Sequence, residues 1–127
     1  MKLSFSTKGW RGRSFEEFCD VAEDLKFEGI ELHNIYNAMF TDRDGAATLR
    51  RLYEKKLTVV CMDTVCDLGK EQDGERDVQE ILSCMEVASN LHIPFIRLKA
   101  SDAGSEEKNA AAIERIAGLL EKLLPVA

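Results

Sequence analysis

Several common classes of protein are excluded by what this sequence lacks. Its four cysteines, Cys19, Cys61, Cys66 and Cys84, include no C-x-x-C pair. A chain of 127 residues buries enough apolar surface to need no disulfide framework, so we read them as reduced thiols. A zinc set made from His33, Cys61 and Cys66 has a spacing unlike the usual structural sites. Apolar runs are broken by charges well before the roughly 18 residues of a membrane span. Met1-Lys2-Leu3-Ser4 leads straight into a strand pattern rather than into a cleavable apolar leader, and the expected location is cytoplasmic. Basic excess is missing too: 17 Lys and Arg stand against 23 Asp and Glu, a formal charge of -6. Such a balance argues against nucleic acid as a partner.

What is present is the composition of one soluble domain, 45% apolar and 31% charged. Lys2 to Ser6 alternates as a first strand. Ser14 opens a helix with Glu17 completing a capping box, and Phe15, Phe18, Val21, Ala22 and Leu25 form its apolar stripe. That helix is expected to end near Phe27, with Gly29 turning the chain into a strand that ends near His33. After a loop that holds Tyr36, Met39 and Phe40, a helix is expected from Asp44 or Gly45 to Lys56, with Leu49, Leu52 and Tyr53 on its apolar side. Leu57 to Met62 is nearly continuous in apolar character, as in a strand covered on both faces. A polar loop from Asp63 to Gly74 precedes a helix over about residues 75–91. Pro94 then starts the strand Phe95 to Lys99. The last helix, about residues 107–124, shows a wide apolar face that includes Ile113, Ile116, Leu119, Leu120, Leu123 and Leu124.

Strand and helix thus alternate four times, which argues for an α/β fold with a parallel sheet. Two architectures fit: a small doubly wound, flavodoxin-like sheet, or half of a (β/α)8 barrel, whose complete form needs about 250 residues. Residues 1–127 are read as a single domain in either case.

Phe15 to Phe18, Leu25 to His33 with its Gly-Ile-Glu-Leu-His run, Leu52 to Val59 and Ala88 to Arg97 together resemble the xylose isomerase-like TIM barrels, and within them the sugar phosphate isomerase/epimerase group. The resemblance covers essentially the whole chain and implies the N-terminal half of such a barrel, with the C-terminal half absent. It also implies a divalent metal, held in the complete family by Glu, Asp and His residues of strands five to eight, two of whose carboxylates move the proton. None of those positions lies in this sequence. The chain is accordingly expected to hold no metal and to provide no catalytic residue. The expected function is that of a truncated sugar (phosphate) isomerase or epimerase, inactive alone; the alternative is a non-catalytic half-barrel that pairs into a homodimer.

In a barrel, site residues lie at the C-terminal ends of the strands. The substrate-binding candidates are Trp10, Glu31, His33, Asp63 and Lys99. Strands two and four share layers, so Glu31 is expected to face Arg97, and His33 to face Lys99. Each has an ordinary alternative: an ion pair for Glu31, a hydrogen-bonded rim imidazole for His33, loop charges for Asp63 and Lys99, and packing for Trp10. Lys8, Arg11 and Arg13 precede a helix N-terminus that favours anions, although Gly9-Trp10-Arg11-Gly12 matches no phosphate-cradling fingerprint.

Overall fold

The computed structural model describes residues 2–9, 12–33, 45–70, 74–101 and 104–126. Four strands, β1 (Ser4–Ser6), β2 (Gly29–Leu32), β3 (Thr58–Asp67) and β4 (Phe95–Lys99), alternate with four helices, α1 (Phe15–Asp24), α2 (Gly45–Glu54), α3 (Gly74–Asn90) and α4 (Glu106–Leu123). All neighbouring strands are parallel, in the spatial order β1-β2-β3-β4. Sequential order is that of consecutive strands in a βα barrel. It sets aside the flavodoxin-like alternative, in which the first strand lies between the second and the third.

The helices cover one face of the sheet. Ile30 and Leu32 of β2 and Met62 of β3 are fully buried there against Phe18 and Ala22 of α1 and Leu52 of α2. Each large side chain buried in this way contributes about 1.5–3 kcal/mol. A second cluster joins Cys66 and Leu68 to Ile81 of α3 and to Leu119 and Leu123 of α4. Burial pushes the Cys66 thiol up to about 12 and those of Cys19 and Cys84 up to about 11, so these three free cysteines are protonated and inert at neutral pH.

Helix α1 starts as its sequence specifies: the Ser14 hydroxyl accepts the Glu17 amide at 3.2 Å, and the Glu17 carboxylate accepts the Ser14 amide at 2.7 Å. Its end was less legible. Helices α1, α2 and α3 all close with one hydrogen-bond pattern: Phe27 N–H donates to the Ala22 carbonyl, Leu57 to Leu52, and Ile93 to Ala88. Each bond spans a left-handed residue, Lys26, Lys56 or His92, with φ of 62°, 56° and 55°. This is the Schellman closure, for which glycine is the usual residue. Three side-chain-bearing residues there mean that the closure is enforced by the apolar residue that follows, since Leu57 and Ile93 are buried and Phe27 packs against the core.

Two expectations need correction. Strand β3 runs on through Asp63 to Asp67 instead of stopping at Met62, because a register irregularity against β4 between Asp63 and Asp67 absorbs the extra residues. The apolar face of α4 is only half used: Leu119 and Leu123 are buried, whereas Ile113, Leu120 and Leu124 are exposed, by 67%, 36% and 68%. Leu25 and Tyr53 are likewise exposed, since each lies at or beside a helix end where the stripe has turned away from the sheet.

Left-handed backbone costs an L-residue about 1–2 kcal/mol, which glycine avoids at some entropic cost in the unfolded chain. Lys56→Gly and His92→Gly are therefore each expected to raise stability, by about 1 kcal/mol or less, read as a higher urea midpoint at unchanged slope.

Candidate functional site

The face of the sheet turned away from the helices carries charge. Strand alternation puts Glu31, Asp63 and Arg97 on this face, and register brings them together, since Glu31 lies opposite Cys61 and Asp63 opposite Arg97. The guanidinium meets Asp63 side-on, Nε to Oδ1 at 2.5 Å and Nη2 to Oδ2 at 2.7 Å. Its Nη1 reaches Glu31 Oε1 at 2.5 Å, and the Ser6 hydroxyl donates to that same oxygen at 3.2 Å. Bidentate, charge-assisted bonds of this kind are strong and orient both partners. The hydrogen bonds to Asp63, and then the fields of both carboxylates, hold the Arg97 pKa above its ordinary value against its partial burial. The Arg97 side chain is nevertheless 41% exposed, against 11% for Asp63.

A second tier lies at the C-terminal rim. Asp67 accepts the Ser101 amide at 2.9 Å, the Ser101 hydroxyl at 2.8 Å and the Gly69 amide at 3.3 Å, and pairs with Lys99 at 3.0 Å. One carboxylate thus ties the segment after β3 to the segment after β4. Gly69 is required by this closeness: a Cβ at that position falls within 2.7 Å of three backbone atoms of Ser101. On the neighbouring strand the buried Thr7 hydroxyl donates to the Glu31 carbonyl at 3.3 Å and accepts the His33 amide at 2.8 Å, fixing the end of β2. From α4, Arg115 donates to the carbonyls of Leu68 at 2.6 Å and Lys70 at 2.9 Å. The rim is thus preorganised by backbone-directed bonds.

Of the sequence candidates, the structure unites Glu31 with Arg97 as the alternation predicts. Asp63 is a buried strand residue on that same arginine rather than a loop charge. Lys99 turns to Asp67 and not to His33, because the longer β3 delivers a carboxylate to the rim. His33 is half-buried at the end of β2. Trp10, Arg11 and the Tyr36 to Phe40 loop lie outside the described residues. Arg13 turns to Glu17 at 3.0 Å and assembles no anion site. Ser6, Asp67 and Ser101 were missed by sequence reading; the one available signal was the spacing of Asp63 and Asp67, which is intelligible only once β3 is known to continue.

A divalent metal does not fit the side chains that are described. Glu31 and Asp63 are committed to Arg97 and Asp67 to Lys99, and among the described residues no three His, Cys, Asp or Glu side chains converge as ligands. The arrangement suits neutral, hydroxyl-rich groups: exposed guanidinium edge and ammonium as donors, carboxylate oxygens as acceptors.

Burial opposes ionisation of Asp67, but the amide and hydroxyl of Ser101 together with Lys99 outweigh it and hold its pKa well below the ordinary 3.8. A depressed carboxylate stabilises the fold fully above the unfolded value and loses that contribution as pH falls toward the folded one. Asp67→Asn is therefore expected to lower stability at neutral pH and to flatten its dependence on pH below about 4, measured by thermal unfolding across an acid series.

No protein-family model and no curated protein matches this sequence. Solved structures do. The probable 3-DHS dehydratase AsbF of petrobactin synthesis from Bacillus anthracis superposes with a TM-score of 0.78 at 23% identity, over 98% of this chain and 49% of that one. An AP endonuclease of family 2 from Brucella melitensis superposes with a TM-score of 0.61 at 19% identity, over 98% of this chain and 52% of that one. The chain spans about half the length of these structures, both of which share the (β/α)8 TIM barrel fold. Its fold is that of four consecutive βα units, half of such a barrel.

Proposed function

We propose that the chain supplies a substrate-holding wall for a barrel enzyme of the sugar isomerase or epimerase kind, and that it does not complete the reaction alone. The observation that carries this reading is Arg97, joined to Glu31 and Asp63 on the concave face yet left exposed along one edge. Three carboxylates and two cations at the strand ends offer paired donors and acceptors at the place where barrels act. In this role Glu31 and Arg97 bind hydroxyl groups, and Asp63 positions Arg97. Lys99 and His33 line the rim. A neutral polyol or sugar suits this wall better than a phosphate ester, given the acidic excess. That excess also disfavours DNA, the substrate implied by the name of one structural neighbour.

Titrating the labelled protein with xylose and with ribose 5-phosphate, while following the Arg97 side-chain resonance by NMR, tests the wall. Millimolar binding that shifts Arg97 and weakens several-fold in Glu31→Gln is expected, with no aldose–ketose interconversion after addition of manganese. Turnover above the buffer rate, or ligand shifts that leave Arg97 and Glu31 untouched, defeats the proposal.

A further inference from the structure

We infer that a second copy of this chain closes the barrel, and that the Glu31–Arg97 pair of each copy meets that of the other in one four-membered charge ring. Ser6, Glu31, Cys61 and Phe95 lie level along the hydrogen-bonded direction. Barrel strands tilt by about 36°, so two strand spacings of about 4.8 Å displace a horizontal layer by about 7 Å, or two residues. Glu31 therefore shares a layer with Arg97 rather than with Phe95, as their ion pair bears out. One layer lower, Gly29 shares with Phe95.

Barrel layers hold four side chains from alternate strands. Strands β2 and β4 supply two of them, and a two-fold-related copy supplies the other two. The Arg97 layer then reads Glu, Arg, Glu, Arg around the axis, alternating in sign, so that each half-exposed guanidinium gains a third carboxylate beside its own Glu31 and Asp63. The layer below reads Gly, Phe, Gly, Phe, alternating in size. Phe95 is 68% exposed on the open wall, and Gly29 is a position where a Cβ would lie only 2.9 Å from Val60 and 3.0 Å from Ser4. Large opposite small is what a packed lumen needs.

The seam agrees. A barrel with a total stagger of eight residues takes four per half, so across the seam the residue four before Ser6 faces Phe95. Lys2 of one copy thus lies opposite Phe95 of the other, and Leu3 opposite Ile96. Leu3 is 51% exposed, and Ile96 lines an apolar groove of about 360 Å³ with Met85, Leu98, Leu120 and Leu124. Each copy brings one β1 edge and one β4 edge, so two copies form two seams and leave no sheet edge open. The assembly goes beyond the wall reading: its charge ring would form the floor of the substrate pocket, but closure stands on register and packing alone.

Three measurements test it. Sedimentation equilibrium of the chain at high micromolar concentration should give twice the 14.3 kDa chain mass. Phe95→Asp, which changes an exposed residue of the isolated chain, should give a monomer with unchanged circular dichroism. Mixing Lys2→Cys with Phe95→Cys chains, both carrying Cys61→Ser because Cys61 is the register partner of Phe95, should give a disulfide-linked pair that neither chain gives alone. A wild-type monomer, a dimer indifferent to Phe95→Asp, or a dimer without the mixed disulfide overturns the inference. Sugar-induced shifts recorded on the Phe95→Asp protein separate the two readings: shifts that persist there leave the wall intact whatever becomes of the assembly.

Discussion

An arginine on the concave face of a parallel sheet has to be neutralised by groups that the sheet itself brings within reach. Arg97 achieves this across three strands, binding Asp63 of β3 on its nearest side and Glu31 of β2 beyond it. The rest of the structure is arranged to hold those three positions. Glu31 is fixed in height by Ser6 and, through its own carbonyl, by Thr7; the opposite face of the same strand is anchored by Ile30 and Leu32, which are fully buried. A shift of one residue in β2 would exchange Glu31 with a core side chain, so packing on the helix side and charge pairing on the open side specify one register together.

The rim obeys a related constraint. Strand β3 is longer than its neighbours, and the irregularity after Asp63 is what lets Asp67 arrive beside Lys99 and Ser101. Beside the backbone bond that Leu68 N–H donates to the Lys99 carbonyl at 2.8 Å, that carboxylate adds a side-chain tie between the segments after β3 and β4. With it, two backbone amides are held as well, and Gly69 can approach Ser101 closely because it has no Cβ. The tiers therefore differ in character. The lower one has an exposed edge that a ligand or another chain can engage, whereas the upper one is internally satisfied and acts as a clasp.

Period-two alternation in Gly-Ile-Glu-Leu-His and in Phe-Ile-Arg-Leu-Lys was enough to put Glu31 with Arg97, because both strands have one apolar face and the pleat leaves no other choice. The strand and helix order was equally legible, as was the capping box at Ser14. What escaped depends on facts that a local pattern does not encode. Asp63 reads as the start of a loop, since polarity marks turns and nothing nearby shows that an arginine partner awaits it. Lys26, Lys56 and His92 carry no glycine signal for the left-handed turns they adopt; those turns are imposed by the burial of the apolar side chains that follow. The α4 stripe reports that the helix is apolar on one side. It does not say how much of that side this chain covers.

That last gap is informative in its own right. The exposed apolar side chains Phe95, Leu120 and Leu124 belong to β4, to α4 or to the residue just beyond it, while Leu3 precedes β1, so the bare surface includes the two edges where a closed barrel continues. A sheet finished as an open sandwich would cap such edges with charge, proline or short strands. Here β1 is short and β4 follows Pro94, yet Leu3 and Phe95 stay exposed at the two edges, and the charges on the open face are balanced between neighbouring strands. Closing such a wall into a barrel would desolvate no unpaired ion, because Arg97 already carries its two carboxylates. The electrostatics of the site and the open edges of the sheet are thus one problem, and Arg97 is where they meet.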